Sequence, residues 1–120
     1  MNNEYSVIMA AFPDKDSAKK TAKLLVERRL AACVQMFPIE SVYLWKGEVR
    51  DENEIMLYIK SKTVLFGEIS AAIRANHSYE VPEIIQIPIT DGLPEYLKWI
   101  GDCVIENDGI RFFQAEKHLS

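Results

Sequence analysis

Apolar positions recur along this chain in two periods, and the switches between them predict its elements. Residues 5–13 carry Tyr, Val, Ile and Phe in a run that reads as a strand, closed by Pro13-Asp14. Residues 14–30 change to a helical period. Ala18, Ala22, Leu25 and Arg29 fall on one face, and small alanines there let a helix lie close on a sheet. Asp14 is placed to cap this helix, with acidic residues at its start and Arg28-Arg29 at its end, as the macrodipole favours.

Residues 32–37 and 41–49 read as strand segments with a break near Pro38, because proline removes a ladder donor. Gly47 marks a second bulge, and the polar run Arg50 to Asn53 reads as a turn. Residues 54–61 alternate most clearly. Ile55, Leu57 and Ile59 point one way, and Met56, Tyr58 and Lys60 the other. Thr63 is placed to cap a helix over 64–76, with Phe66, Ile69 and Ile73 inward. Residues 83–90 read as a strand with Ile85, Ile87 and Ile89 on one side. Pro94 opens a third helix striped by Leu97, Ile100 and Val104. The tail, residues 106–120, has no assigned element.

The order β-α-β-β-α-β with an added helix predicts an α+β ferredoxin-like sandwich in a single domain, 1–120, with its core over about 5–105. Helices cover one sheet face. The other face has no evident cover in the chain, although Tyr43, Trp45, Met56 and Tyr58 lie on or near it. A long hairpin is also marginal alone in water. A second copy of the chain over this face is the expectation. The alternative is that these rings half-bury at an edge.

Composition narrows the function classes. The 120 residues are 48% apolar and 27% charged, which excludes disordered, collagen-like and disulfide-framework proteins. No apolar stretch approaches the roughly 20 residues of a membrane helix, so no membrane partner is expected. The net charge of −4 works against nucleic-acid binding. Cys33 and Cys103 form no CxxC, and the first residues lack a positive n-region, so the expected location is cytoplasmic. There is no GxSxG, no HExxH and no P-loop, and no enzyme activity is expected.

Several blocks carry a resemblance. These are Phe12-Pro-Asp14, Glu27-Arg-Arg-Leu-Ala-Ala-Cys-Val34, Ser41-Val-Tyr-Leu-Trp-Lys-Gly-Glu48, Ile59-Lys60, Tyr79-Glu-Val-Pro-Glu83 and Tyr96-Leu-Lys-Trp99. In this order and spacing the sequence resembles the CutA-type divalent-cation-tolerance proteins, over roughly residues 5–105. The resemblance implies a compact homotrimer of ferredoxin-like subunits with exchanged hairpins, similar in plan to PII signalling proteins. It also implies a link to tolerance of copper and other divalent cations, and no catalytic activity. One member of the family is linked to anchoring of another protein.

His77 is the sharpest candidate for chemistry, since a neutral imidazole binds Cu(II) or Zn(II) and carboxylates can complete a site. Glu80 and Glu83 lie near it in sequence. The bland reading is a helix C-cap. Members of the family usually read His-Pro-Tyr here, and Ser78 departs from that. Copper binding in some members is associated with a first-strand cysteine and a His-His pair. Here those positions hold Ala10 and Asn76, and only His77 matches. Cys33 is a remote metal candidate and reads first as packing, as does Cys103.

Glu48, Glu54, Lys60 and Tyr79, with Glu83, form a polar set on apolar segments. Buried charges must pair, so Lys60 is expected to meet Glu83 or Glu54. The functional alternative is a small-ligand cleft between subunits. Trp45, with Tyr43 and Tyr58, reads first as an interface anchor and second as a stacking surface for a ligand. Three readings stay open: a trimer binding a divalent metal, a PII-like small-ligand regulator, and a structural or adaptor trimer.

Overall fold

The computed structural model of the protein describes residues 3–106. The final residues of the predicted tail, 107–120 with His118, lie outside them. Eight segments follow in order: β1 (Tyr5–Phe12), α1 (Lys15–Glu27), β2 (Cys33–Trp45), β3 (Glu48–Lys62), a short 3-10 turn (Thr63–Leu65), α2 (Phe66–Ala75), β4 (Ile84–Pro88) and α3 (Pro94–Cys103). The four strands form one sheet in the order β2-β3-β1-β4 with every neighbouring pair antiparallel. This is the predicted α+β split-βαβ plan with an added helix.

The register assigns the two faces. Ile8, Ala10 and Phe12 of β1 stand beside Ile59, Leu57 and Ile55 of β3. They form the core with Ala18, Ala22 and Leu25 of α1 and Ile69 and Ile73 of α2. Asp14 caps α1 as expected, its carboxylate accepting the Ser17 N–H at 2.7 Å. That bond to the ionised form lowers the Asp14 pKa from its ordinary value.

The exit of α1 differs from the expectation. Arg29 is not on the buried helical face but adopts φ 58 just past the C-cap Arg28. The Arg29 N–H bonds the Val26 carbonyl and the Leu30 N–H bonds the Leu25 carbonyl, the two bonds of a Schellman motif. Arg29 Nε and an Nη then donate to the carbonyls of Cys103 and Asp102. A left-handed arginine thus satisfies the last carbonyls of α3, where a cation is also favoured by the helix dipole.

The largest departure is the hairpin. Pro38 does not interrupt β2, which runs unbroken over Cys33–Trp45. β2 is an outer strand, where a missing donor need not remove a ladder bond. Arg50 to Asn53 is not a turn either. These residues pair with Tyr43, Val42, Ser41 and Glu40 inside β3. They are polar because this half of the hairpin projects past the helix layer, with exposed positions on both strands. The turn is Lys46-Gly47, both at positive φ (50° and 81°), the pattern that two-residue hairpin loops favour. Gly47 is therefore a turn residue rather than a bulge. Among the described residues nothing lies within 4 Å of a Cβ added there, so Gly47→Ala is expected to lose about 1 kcal/mol from backbone conformation alone. Denaturant unfolding checks this, and an unchanged midpoint would show that the turn tolerates the swap.

The face opposite α1 and α2 is partly covered after all. Gly101 of α3 stands close to Tyr5 and Lys62, Tyr96 meets Lys60, and Ile100 is fully buried. Met56 and Val7 are buried as well, while Phe37, Ile85, Ile87 and Trp99 remain partly exposed. Thr63 does not cap α2. Its hydroxyl instead meets Ser6 Oγ and donates to the Asn3 carbonyl, joining the 3-10 turn to the start of β1.

Candidate functional site

The face register brings Tyr43, Trp45, Arg50, Glu52 and Glu54 to one side of the projecting hairpin. The segment 78–83, between α2 and β4, runs along the same side. Between them lies a cleft of about 790 Å³. Its wall carries five glutamates, namely Glu40, Glu52, Glu54, Glu80 and Glu83, against one arginine, Arg50. Tyr43, Trp45 and Tyr79 supply its aromatic surface.

His77 stands where the chain crosses from the helix side to this cleft. Asn76 ends α2 by donating its side-chain N–H to the Ala72 carbonyl at 2.8 Å, so the helix cap expected of His77 belongs to its neighbour. The imidazole instead reaches β1. Its Nε2 is 2.6 Å from the Ala11 carbonyl, and its Nδ1 accepts the Tyr79 N–H at 3.1 Å. The ring lies between Phe12 and Tyr79, with centroid separations of 4.4 and 4.7 Å. β4 pairs with β1 only as far as Ala10↔Ile84, and His77 supplies a donor to the next carbonyl along.

Tyr79 extends this chain of contacts. Its hydroxyl donates to Glu54 Oε2 at 3.0 Å, and Glu54 is only 6% exposed. Burial and the neighbouring carboxylate push the Tyr79 phenol well above its ordinary pKa. Tyr43 donates to Glu52 in a parallel short contact, which raises its pKa in the same sense. Lys46 at the hairpin tip approaches Glu80 at 3.9 Å, an exposed pair of small energetic weight.

Lys60 does not meet Glu54 or Glu83. Its ammonium donates to the Tyr96 hydroxyl at 3.1 Å and lies 5.2 Å from that ring. The separation follows from the strand itself: six residues of β3 put Lys60 roughly 20 Å from Glu54. Cys33 pairs with Lys60 in the ladder, so it shares that distant end and is not brought to His77. Glu48 sits opposite Trp45 at the hairpin turn. Tyr58 packs near Phe37 in the middle of the sheet, with centroids 6.3 Å apart. Arg50 and Glu52 were missed in the sequence because the Arg50–Asn53 run reads as a turn, and extending the β3 alternation through it would have found them; Glu40 was missed because it falls in the break expected near Pro38.

A family model described as CutA1 divalent ion tolerance protein matches residues 6–103. The chain belongs to this family. Its similarity to a CutA homologue of Danio rerio is 41% identity over 104 residues, covering 86% of this chain and 69% of that one. A divalent-cation tolerance protein CutA of Thermus thermophilus is 42% identical over 95 residues, covering 78% and 92%. Among solved structures, CutA1 of Oryza sativa superposes with a TM-score of 0.84 at 37% identity, covering 87% of this chain and 96% of that one.

The family description raises the question of a metal. Among the described residues, no three His, Cys, Asp or Glu side chains stand together in a metal-holding group. His77 has both ring nitrogens engaged by backbone groups. Ala10, at the position of the cysteine found in some CutA members, is fully buried in the helix-side core. The described residues of one subunit therefore do not fit a resident metal ion.

Proposed function

We propose that the protein serves in divalent-cation tolerance as a homotrimer. In this reading each acidic cleft is completed by a neighbouring subunit and takes up divalent cations, copper or zinc among them, as exchangeable ligands. The observation that carries the reading is the cleft's charge, five carboxylates against one guanidinium, with the exposed Lys46 ammonium at its rim. Such a concave surface of one sign concentrates cations. Support for the assembly comes from the back of the same hairpin, where Val42, Leu44 and Val49 are 70%, 69% and 74% exposed. A patch of large apolar side chains on a projecting arm marks a protein contact. Glu80 and Glu83, both exposed in one subunit, are the proposed cation contacts. We read the protein as a binder rather than an enzyme, and as cytoplasmic.

The test is a calorimetric titration with Cu(II) and with Zn(II), the oligomeric state being fixed beforehand by light scattering. Saturable binding is expected in the wild type, with at least a tenfold loss of affinity in Glu80→Gln/Glu83→Gln. No saturable heat, or equal heat in both proteins, would overturn the cation reading and favour the adaptor.

A second reading has its own observation. The cleft volume falls in the range of about 300–1,000 Å³ usual for small-molecule sites, and Trp45, Tyr43 and Tyr79 line it. A PII-like regulator of this kind predicts thermal stabilisation by a small organic ligand and none by metals.

A further inference from the structure

We propose that His77 is a positioning residue, fixed as the Nε2-protonated neutral tautomer, that holds Tyr79 over Glu54, and that it is not a metal ligand. The two hydrogen bonds of the ring allow one arrangement only. The Tyr79 N–H can only donate, so Nδ1 must carry a lone pair. The Ala11 carbonyl can only accept, so Nε2 must carry the proton. A metal at Nδ1 would displace the Tyr79 amide, and a metal at Nε2 would displace the proton that β1 uses. Either change frees a backbone group that the fold has paired.

What these two hydrogen bonds of His77 secure is on the other side of the sheet. The His77 ring packs on Phe12, a core residue of the helix side. Two residues later the Tyr79 hydroxyl reaches Glu54, on the cleft side. The segment therefore turns around the end of β1 at His77. Glu54 is a nearly buried carboxylate, and such a group needs donors. Lys60, the cation expected to serve it, is at the far end of β3, and Tyr79 provides the bond instead. The line of contacts runs from the β1 carbonyl through imidazole, amide and phenol to the carboxylate.

This inference stands apart from cation uptake at Glu80 and Glu83, whose failure would leave the His77 tautomer unchanged. The first test is long-range proton–nitrogen NMR of the histidine rings in the wild-type protein, with and without equimolar Zn(II). His118→Ala assigns the two histidines. The expected result is an unprotonated Nδ1 on His77 that does not respond to zinc. An unprotonated Nε2, or His77 signals that move in proportion to added zinc, would overturn the proposal.

The second test is hydrogen exchange at the Tyr79 amide. His77→Asn keeps an acceptor for the N–H two residues on, and protection is expected to persist. His77→Phe keeps a ring between Phe12 and Tyr79 but no acceptor, and exchange is expected to be at least tenfold faster. Equal protection in His77→Phe and wild type would reduce His77 to packing. A double-mutant cycle of His77→Phe with Tyr79→Phe then reads the positioning itself. Removing the Tyr79 hydroxyl is expected to matter less once His77 is gone, whereas strict additivity would sever the two.

Discussion

Leu44→Asp combined with Val49→Asp is expected to turn the proposed trimer into a folded monomer. The two residues face each other in the ladder and are 69% and 74% exposed in a single subunit. Within one chain the carboxylates stay in water, so the subunit fold should be preserved. In an assembly that covers this face, each substitution would bury a charge without a partner, a penalty of several kcal/mol. Trp45→Ala is expected to act in the same direction but less strongly, because Trp45 lies on the opposite, cleft-lining side and is already half-buried. Light scattering across a dilution series checks both. An unchanged mass for the double variant at low concentration would place the subunit contact elsewhere.

Phe12→Ala is expected to be the most damaging single change to the subunit. Phe12 is fully buried, belongs to the core between sheet and helices, and stacks on His77 at 4.4 Å. Truncating such a residue removes about 3–5 kcal/mol, a large part of the roughly 5–15 kcal/mol that holds a domain together. The loss should appear twice: as a lower denaturant midpoint, and as faster exchange of the Tyr79 amide that His77 accepts. A loss under about 1 kcal/mol would mean that the core closes over the gap.

The two experiments probe different layers of the molecule, and the sequence was unequally informative about them. The strand that carries Phe12 was legible, because a run of β-forming residues is closed by Pro13-Asp14, but its core face was not read from it. The hairpin was not legible. Pro38, Gly47 and the run Arg50 to Asn53 are all residues that end strands in an ordinary sheet. They are tolerated here by an outer strand, a two-residue turn and an arm that α1, α2 and α3 leave uncovered. Composition alone does not separate a turn from a strand solvated on both sides.

His77 and Lys60 make the same point for the site. The residue type and its neighbours marked His77 as a metal candidate, but its role depends on the Ala11 carbonyl, 66 residues away in sequence. Charge pairing suggested Lys60 for Glu54, yet strand geometry keeps them at opposite ends of β3, and Tyr79 meets the carboxylate instead.

What the sequence determined by itself is therefore the local and repetitive part. It set the element order, the Asp14 cap, the core faces of α1, α2 and β3, and the family blocks. These follow from side-chain periods of two and 3.6 residues and from short-range capping, all written within a few positions of chain. Tertiary structure decided the continuous β2–β3 arm, the left-handed Arg29 that closes α3, the acidic cleft and the engagement of both His77 nitrogens. Each of these depends on which backbone groups and which faces remain unpaired once the sheet has formed, and that is fixed by contacts between residues far apart in sequence.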